Sequence, residues 1–150
     1  MTRDPGSTLE TFIREGASLA QVEKYDDAID AFDKAIEIQP GDPRAWWGRG
    51  LALFMLGRPA EAIESYDRAL AMNPDNPILW FNRGLALDEL RRYAEAVESY
   101  DKVLALEPEN AGVWYTRGTA LSMLDRLDEA VESIDRALFL DPTLANAGLD

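Results

Sequence analysis

Residues 77–108 read PILWFNRGLALDELRRYAEAVESYDKVLALEP, and this stretch decides the fold. Trp80, Gly84, Leu87 and Leu90 follow one another at spacings of three and four, which places them on one side of a helix beginning near Pro77. A proline suits a first helical turn, where a missing N–H breaks no bond. The pattern stops around Arg91-Arg92 and resumes near Ala94 with Ala96, Val97, Tyr100, Val103 and Leu104 on a second apolar face. Pro108 then ends the second helix because it cannot extend the hydrogen-bond ladder. The stretch therefore predicts two helices joined by a tight turn.

The same pattern recurs along the chain. Pro40, Pro74, Pro108 and Pro142 stand 34 residues apart. Ala28, Ala62, Ala96 and Ala130 share that interval, as do Phe32, Tyr66, Tyr100 and Ile134. Gly16, Gly50, Gly84 and Gly118 repeat with it, and so do Phe12, Trp46, Trp80 and Trp114. Independent position sets with one period define four units, 9–42, 43–76, 77–110 and 111–144. Their turns fall at Glu23-Lys24, Gly57-Arg58, Arg91-Arg92 and Asp125-Arg126. Small residues such as Gly84 and Ala96 let two helices approach, while Trp80 and Tyr100 fill the space beside them. A lone hairpin cannot bury its stripe, so each unit must cover its neighbour. Residues 1–8, with Pro5 and Gly6-Ser7, read as a flexible segment outside the repeats, and 145–150 as a tail or the start of a further helix.

The pattern W-x-x-x-G-x-x-L, then A-x-x-x-Y/F, then P resembles the tetratricopeptide repeat family over residues 9–144. That resemblance implies an all-α solenoid of four antiparallel helix hairpins wound into a right-handed superhelix with a concave groove. Family members usually bind peptides or helices of other proteins, and none of the repeat's signature residues is catalytic.

Composition narrows the chemistry. The 150 residues contain no cysteine and no histidine, which removes disulfides, zinc sites, thiol nucleophiles and the usual general base. We expect no enzyme activity, no cofactor and no metal. A net charge of −13 disfavours nucleic acid as a partner, and no basic patch offsets it. No apolar run approaches the roughly 18 residues of a membrane span. The polar start lacks the form of a signal or transit peptide, so the expected location is the cytoplasm.

Two charged sets also follow the repeat. Arg49, Arg83 and Arg117 each lie 16 residues after an aspartate, namely Asp33, Asp67 and Asp101. The first unit has Glu15 in place of the arginine, and it has no upstream unit to pair with. This predicts pairing across unit boundaries; the alternative is two sets of solvated surface charges.

In the family, the residue after the tryptophan, and those four and seven further on, line the groove. Here that face carries Trp47, Leu51 and Phe54, then Phe81, Leu85 and Asp88, then Tyr115, Thr119 and Ser122. Ile13, Ala17 and Ala20 are the first-unit equivalents, while Met55, Asn82, Glu89 and Met123 adjoin the face. Aromatics and methionine are typical of energetic hot spots. The expected ligand is a peptide or helix with apolar anchors and some basic residues, complementary to Asp88 and Glu89. Members that hold the acidic tails of heat-shock chaperones use a clamp of Lys, Asn and Arg, of which only Asn82 is present.

Ile134, Leu138 and Phe139 mark an apolar face in the last hairpin with little sequence left to cover it. A homo-oligomer joined through that end is one further expectation. A recognition arm cut from a larger protein is another.

Overall fold

The computed structural model describes residues 5–146. Among these lie eight α-helices and no strand: α1 (Pro5–Gln21), α2 (Tyr25–Ile38), α3 (Pro43–Met55), α4 (Pro59–Met72), α5 (Pro77–Glu89), α6 (Tyr93–Leu106), α7 (Ala111–Met123) and α8 (Leu127–Leu140). A 3-10 turn, Pro142–Asn146, follows α8. Helix α1 begins at Pro5, inside the segment left out of the repeat pattern; residues 1–4 and 147–150 lie outside the described residues. The chain packs as two compact units, one ending at Leu79 and the other beginning at Trp80. In the first, α2 packs on both α1 and α3, and α4 on α3. In the second, α7 packs on both α6 and α8, and the ring of Phe81 on α5 meets that of Tyr100 on α6.

The helix boundaries follow from local chemistry. Asp42 opens α3 by accepting the Arg44 N–H at 2.9 Å, and Asn110 opens α7 by accepting that of Val113 at 3.2 Å. These side chains satisfy donors that the helix itself cannot. Pro43 and Pro59 occupy first-turn positions. The turns at Glu23, Gly57, Arg91 and Asp125 share one device. Each of these residues has φ between 58° and 75°, the left-handed region. In each, the next residue's N–H reaches back five positions: Lys24 to Leu19, Arg58 to Leu53, Arg92 to Leu87, Arg126 to Leu121, at 2.9–3.0 Å. This is the Schellman ending. Only Gly57 adopts that backbone without a Cβ penalty.

Buried side chains confirm the small-with-large logic. Ala28, Ala62, Ala96 and Ala130 are buried, and Leu53, Leu87 and Leu121 are fully so. A Cβ on Gly16 would lie 2.7 Å from the Phe32 ring, one on Gly50 2.5 Å from the Tyr66 ring, and one on Gly118 2.5 Å from Ile134. Glycine is thus the space the aromatic ring occupies.

The tryptophans differ from the sequence expectation of a filled core. Trp46, Trp80 and Trp114 are only half-buried. The indole N–H groups of Trp46 and Trp114 donate to the carbonyls of Pro40 and Pro108, at 2.8 and 2.9 Å. Guanidinium groups stand near the rings, Arg68 at 5.8 Å from Trp46 and Arg117 at 5.7 Å from Trp114. An indole needs a partner for its N–H, so it settles at the rim instead of the centre. Truncating one then costs less than the roughly 3–5 kcal/mol of a fully buried aromatic.

Two of the expected charge pairs form across repeat boundaries. Arg49 Nε donates to Asp33 at 2.8 Å, and Arg117 Nε to Asp101 at 2.7 Å. Each arginine also reaches forward 16 residues to a buried serine hydroxyl: Arg49 to Ser65 and Arg83 to Ser99 at 2.8 Å, Arg117 to Ser133 at 3.4 Å. The Ser133 hydroxyl donates to the Trp114 carbonyl at 2.8 Å. The first unit lacks both partners, with Glu15 for arginine and Ala31 for serine. The arginine and serine thus come and go together.

Two sets of variants test this account by urea unfolding. Gly57→Ala should lose about 1 kcal/mol, whereas Glu23→Gly should gain up to about 1 kcal/mol, because each changes the penalty at a left-handed residue. In the clamp, Ser65→Ala should cost about 1 kcal/mol. A double-mutant cycle at Asp101 and Arg117 should show coupling of about 0.5–1 kcal/mol, since half of the Asp101 side chain stays in water; strictly additive losses would reduce that pair to two separate surface charges.

Candidate functional site

In the first unit the candidate residues share one side of α3. Trp47, Leu51, Phe54 and Met55 follow at helical spacing, on a different side from the buried Ala45, Ala52 and Leu53. Trp47 is 37% exposed and Met55 58% exposed, with Leu51 and Phe54 half-buried. On α1, Ile13 and Ala20 are half-buried and Ala17 is exposed. A tryptophan, a phenylalanine, a leucine and a methionine thus present apolar surface to water from one helix.

In the second unit α5 and α7 carry the remaining candidates. Phe81, Asn82 and Leu85 are half-buried, and the Phe81 ring lies 6.0 Å from that of Tyr100, tilted by 46°. Tyr115 is half-buried, while Thr119 and Met123 are exposed. Thr119 turns its hydroxyl onto the Tyr115 carbonyl at 3.2 Å. Asp88, Glu89, Thr119 and Met123 come together around a depression of about 440 Å³, completed by Arg91, Tyr93 and Ala120. The first-helix pattern does not point to Arg91 and Tyr93, which belong to the α5–α6 turn and the start of α6. Only the folded turn brings them to the rim.

Asp88 is the one acid in this set with a structural bond. Its carboxylate accepts the Tyr100 hydroxyl, and its other oxygen is buried without a hydrogen-bond partner. Burial pushes the Asp88 carboxyl above its ordinary value; the Tyr100 bond opposes the shift, and the charge of Glu89 adds to it. Burial, then Asp88 itself, pushes the Tyr100 phenol up. The signal was present in the sequence: a buried tyrosine seeks a partner for its hydroxyl, and position 88 holds an acid where the other units have Ala20, Phe54 and Ser122.

At the other end of the chain, Phe139 is 77% exposed and Ile134 and Leu138 are half-buried. Residues Glu37, Ala71 and Ala105, which match Phe139 in the other units, are all exposed. Phe139 therefore points away from the side on which helices pack. Among the described residues no cluster of acids could hold a metal ion, and no helix is long and apolar enough to cross a membrane.

Paired helices at a 34-residue period define a helix-hairpin repeat of the interaction-scaffold class. The tetratricopeptide repeat model matches residues 13–77, 56–110 and 81–145, and the chain belongs to that family. No curated protein matches its sequence significantly. Among solved structures it resembles a crystal structure of MamA protein, with 25% identity and a TM-score of 0.85 over 95% of this chain and 78% of that one. It also resembles MamA from residue 41 onward of Desulfovibrio magneticus RS-1, with 22% identity and a TM-score of 0.87 over 93% and 78% of the two chains. The latter likeness concerns the fold alone.

The raised Asp88 carboxyl has a measurable consequence. A carboxyl that binds its proton more tightly when folded contributes most to stability in acid, and that contribution falls as pH rises through its folded value. Unfolding of the parent and of Asp88→Asn at pH 3 and pH 7 should therefore show the difference moving in the parent's favour at the lower pH. An unchanged difference would mean that burial does not act on this carboxyl.

Proposed function

We propose that this chain is a cytoplasmic protein-interaction scaffold, without catalytic activity, that holds a peptide or helix of a partner on the open faces of its first helices. One observation carries the reading: Trp47 and Met55 stand in water beside Leu51 and Phe54, on a helix whose other side is packed. Apolar clusters of this kind are seldom left bare on soluble proteins, and tryptophan anchors contribute heavily to binding. On the second unit, Asp88 and Glu89 beside Met123 and Thr119 favour a ligand with basic residues near its apolar anchors. The family supports the class of function, and the residues supply the ligand chemistry.

Selection of a displayed peptide library against the whole chain should enrich sequences with aromatic or aliphatic anchors and nearby lysine or arginine. Trp47→Ala combined with Phe81→Ala should weaken the selected peptides by at least about tenfold in calorimetric titration, with the helical circular dichroism retained. Peptides that bind this variant as well as the parent would remove these faces from the binding site.

A further inference from the structure

The depression of about 440 Å³ in the second unit contains two acids that the repeat itself does not require. Asp88 and Glu89 stand where the other units have Ala20-Gln21, Phe54-Met55 and Ser122-Met123, so hairpin packing asks for no charge there. The ion pairs of this unit engage Glu95, Asp101 and Glu129, and among the described residues none engages Asp88 or Glu89. Helix α5 ends at Glu89 and α7 at Met123, and neither carries a basic residue in its last turn. The end of a helix carries partial negative charge, which a cation offsets.

The two acids differ in access. Glu89 is exposed and open to a direct bond. Asp88 has one oxygen held by the Tyr100 hydroxyl and the other buried without a donor. A buried acceptor is poorly screened by water, so its charge acts strongly on whatever enters above it. The walls suit an aliphatic stem: Met123 is 60% exposed and Tyr93 half-buried. Lysine and arginine lay their methylenes along such surface and keep the head polar. The chain's own cation at this rim is Arg91, which is exposed and, among the described residues, outside any ion pair. Its neighbour Arg92 is instead tied to Glu95 at 2.6 Å.

We propose that this depression receives one lysine or arginine side chain of a bound partner, its head paired with Glu89 over the buried Asp88 and its stem along Met123 and Tyr93. Arg91 is a competitor built into the rim, repelling the incoming cation and limiting its affinity. The inference rests on the reading of the chain as a peptide-binding scaffold and adds the seat of the ligand's basic residue.

The test uses the full chain with isotope-labelled methionine methyls. The probe is N-acetyl-arginine amide, and N-acetyl-citrulline amide is its uncharged counterpart, both followed by the Met123 methyl resonance in low salt at pH 7. The arginine probe should shift that resonance saturably, with half-saturation on the order of 1–10 mM. The citrulline probe should bind at least about threefold more weakly. Glu89→Gln and Asp88→Asn should each weaken the arginine probe roughly twofold to fivefold, and Arg91→Gly should strengthen it by a similar factor. Asparagine keeps an acceptor for the Tyr100 hydroxyl, and circular dichroism checks that each variant is folded. A Met123 methyl that ignores the arginine probe, or answers both probes alike, overturns the proposal. Equal binding by the parent and the Asp88→Asn, Glu89→Gln double variant does the same. An Arg91→Gly variant of unchanged affinity overturns the competitor role. A single-residue probe needs no peptide, so the outcome separates from that of the library selection. Selected peptides that depend on Trp47 and Phe81, with an unresponsive Met123, would leave the scaffold standing and remove this seat alone.

Discussion

The ring of Phe32 lies where a side chain on Gly16 would begin, and the rings of Tyr66 and Tyr100 stand in the same relation to Gly50 and Gly84. This contact sets how closely the helices of a hairpin approach, and the rest of each unit is arranged around it. Ala62 and Ala96, one turn before the tyrosines on the same helices, are fully buried. Leu53 and Leu87, on the first helices, are sealed completely. Interiors packed to crystal-like density leave few alternatives once one large side chain is placed. The ring also carries an electrostatic cost where it is a tyrosine, since its hydroxyl is drawn out of water. In the second unit Asp88 meets that need, and its second oxygen is left buried and unpartnered as a result.

Between hairpins a different interaction takes over. The arginine of a first helix ties the aspartate behind it to the serine ahead, joining second helices on either side through one guanidinium. Because its planar fork presents several donors, arginine can satisfy a carboxylate and a hydroxyl together, which a lysine point charge does less well. The aspartates remain about half exposed, so the clamp is worth more as a device for register than as a source of stability. The first unit lacks it, with Glu15 and Ala31 in place of both polar partners.

What these two interactions leave over is the apolar surface open to water. Glycine and leucine take the inner side of each first helix, so Trp47 and Met55 are turned outward by the helical repeat alone. The depression beside Asp88 owes its shape to the left-handed backbone at Arg91, which brings the start of α6 against α7. On α8, Leu127 and Val131 are largely exposed. Open apolar surface on these helices is therefore the remainder of their packing rules.

Period and composition alone determined the fold class, the positions of the turns, the alanine, glycine and aromatic sets, and the aspartate–arginine spacing. Such features are carried by neighbours three, four or 34 residues apart and leave a regular trace in the chain. The tertiary structure decided matters that depend on what lies across an interface. It moved the tryptophans to the rim, where indole N–H groups reach the Pro40 and Pro108 carbonyls. It revealed Ser65, Ser99 and Ser133 as the second half of the clamp, residues that look like ordinary surface serines but are buried and bonded to an arginine of the preceding helix. It set Phe139 off the packing stripe and put Arg91 and Tyr93 beside Asp88. Burial and hydrogen-bond partnership belong to pairs of helices, and a single helix's sequence records only its own half of each.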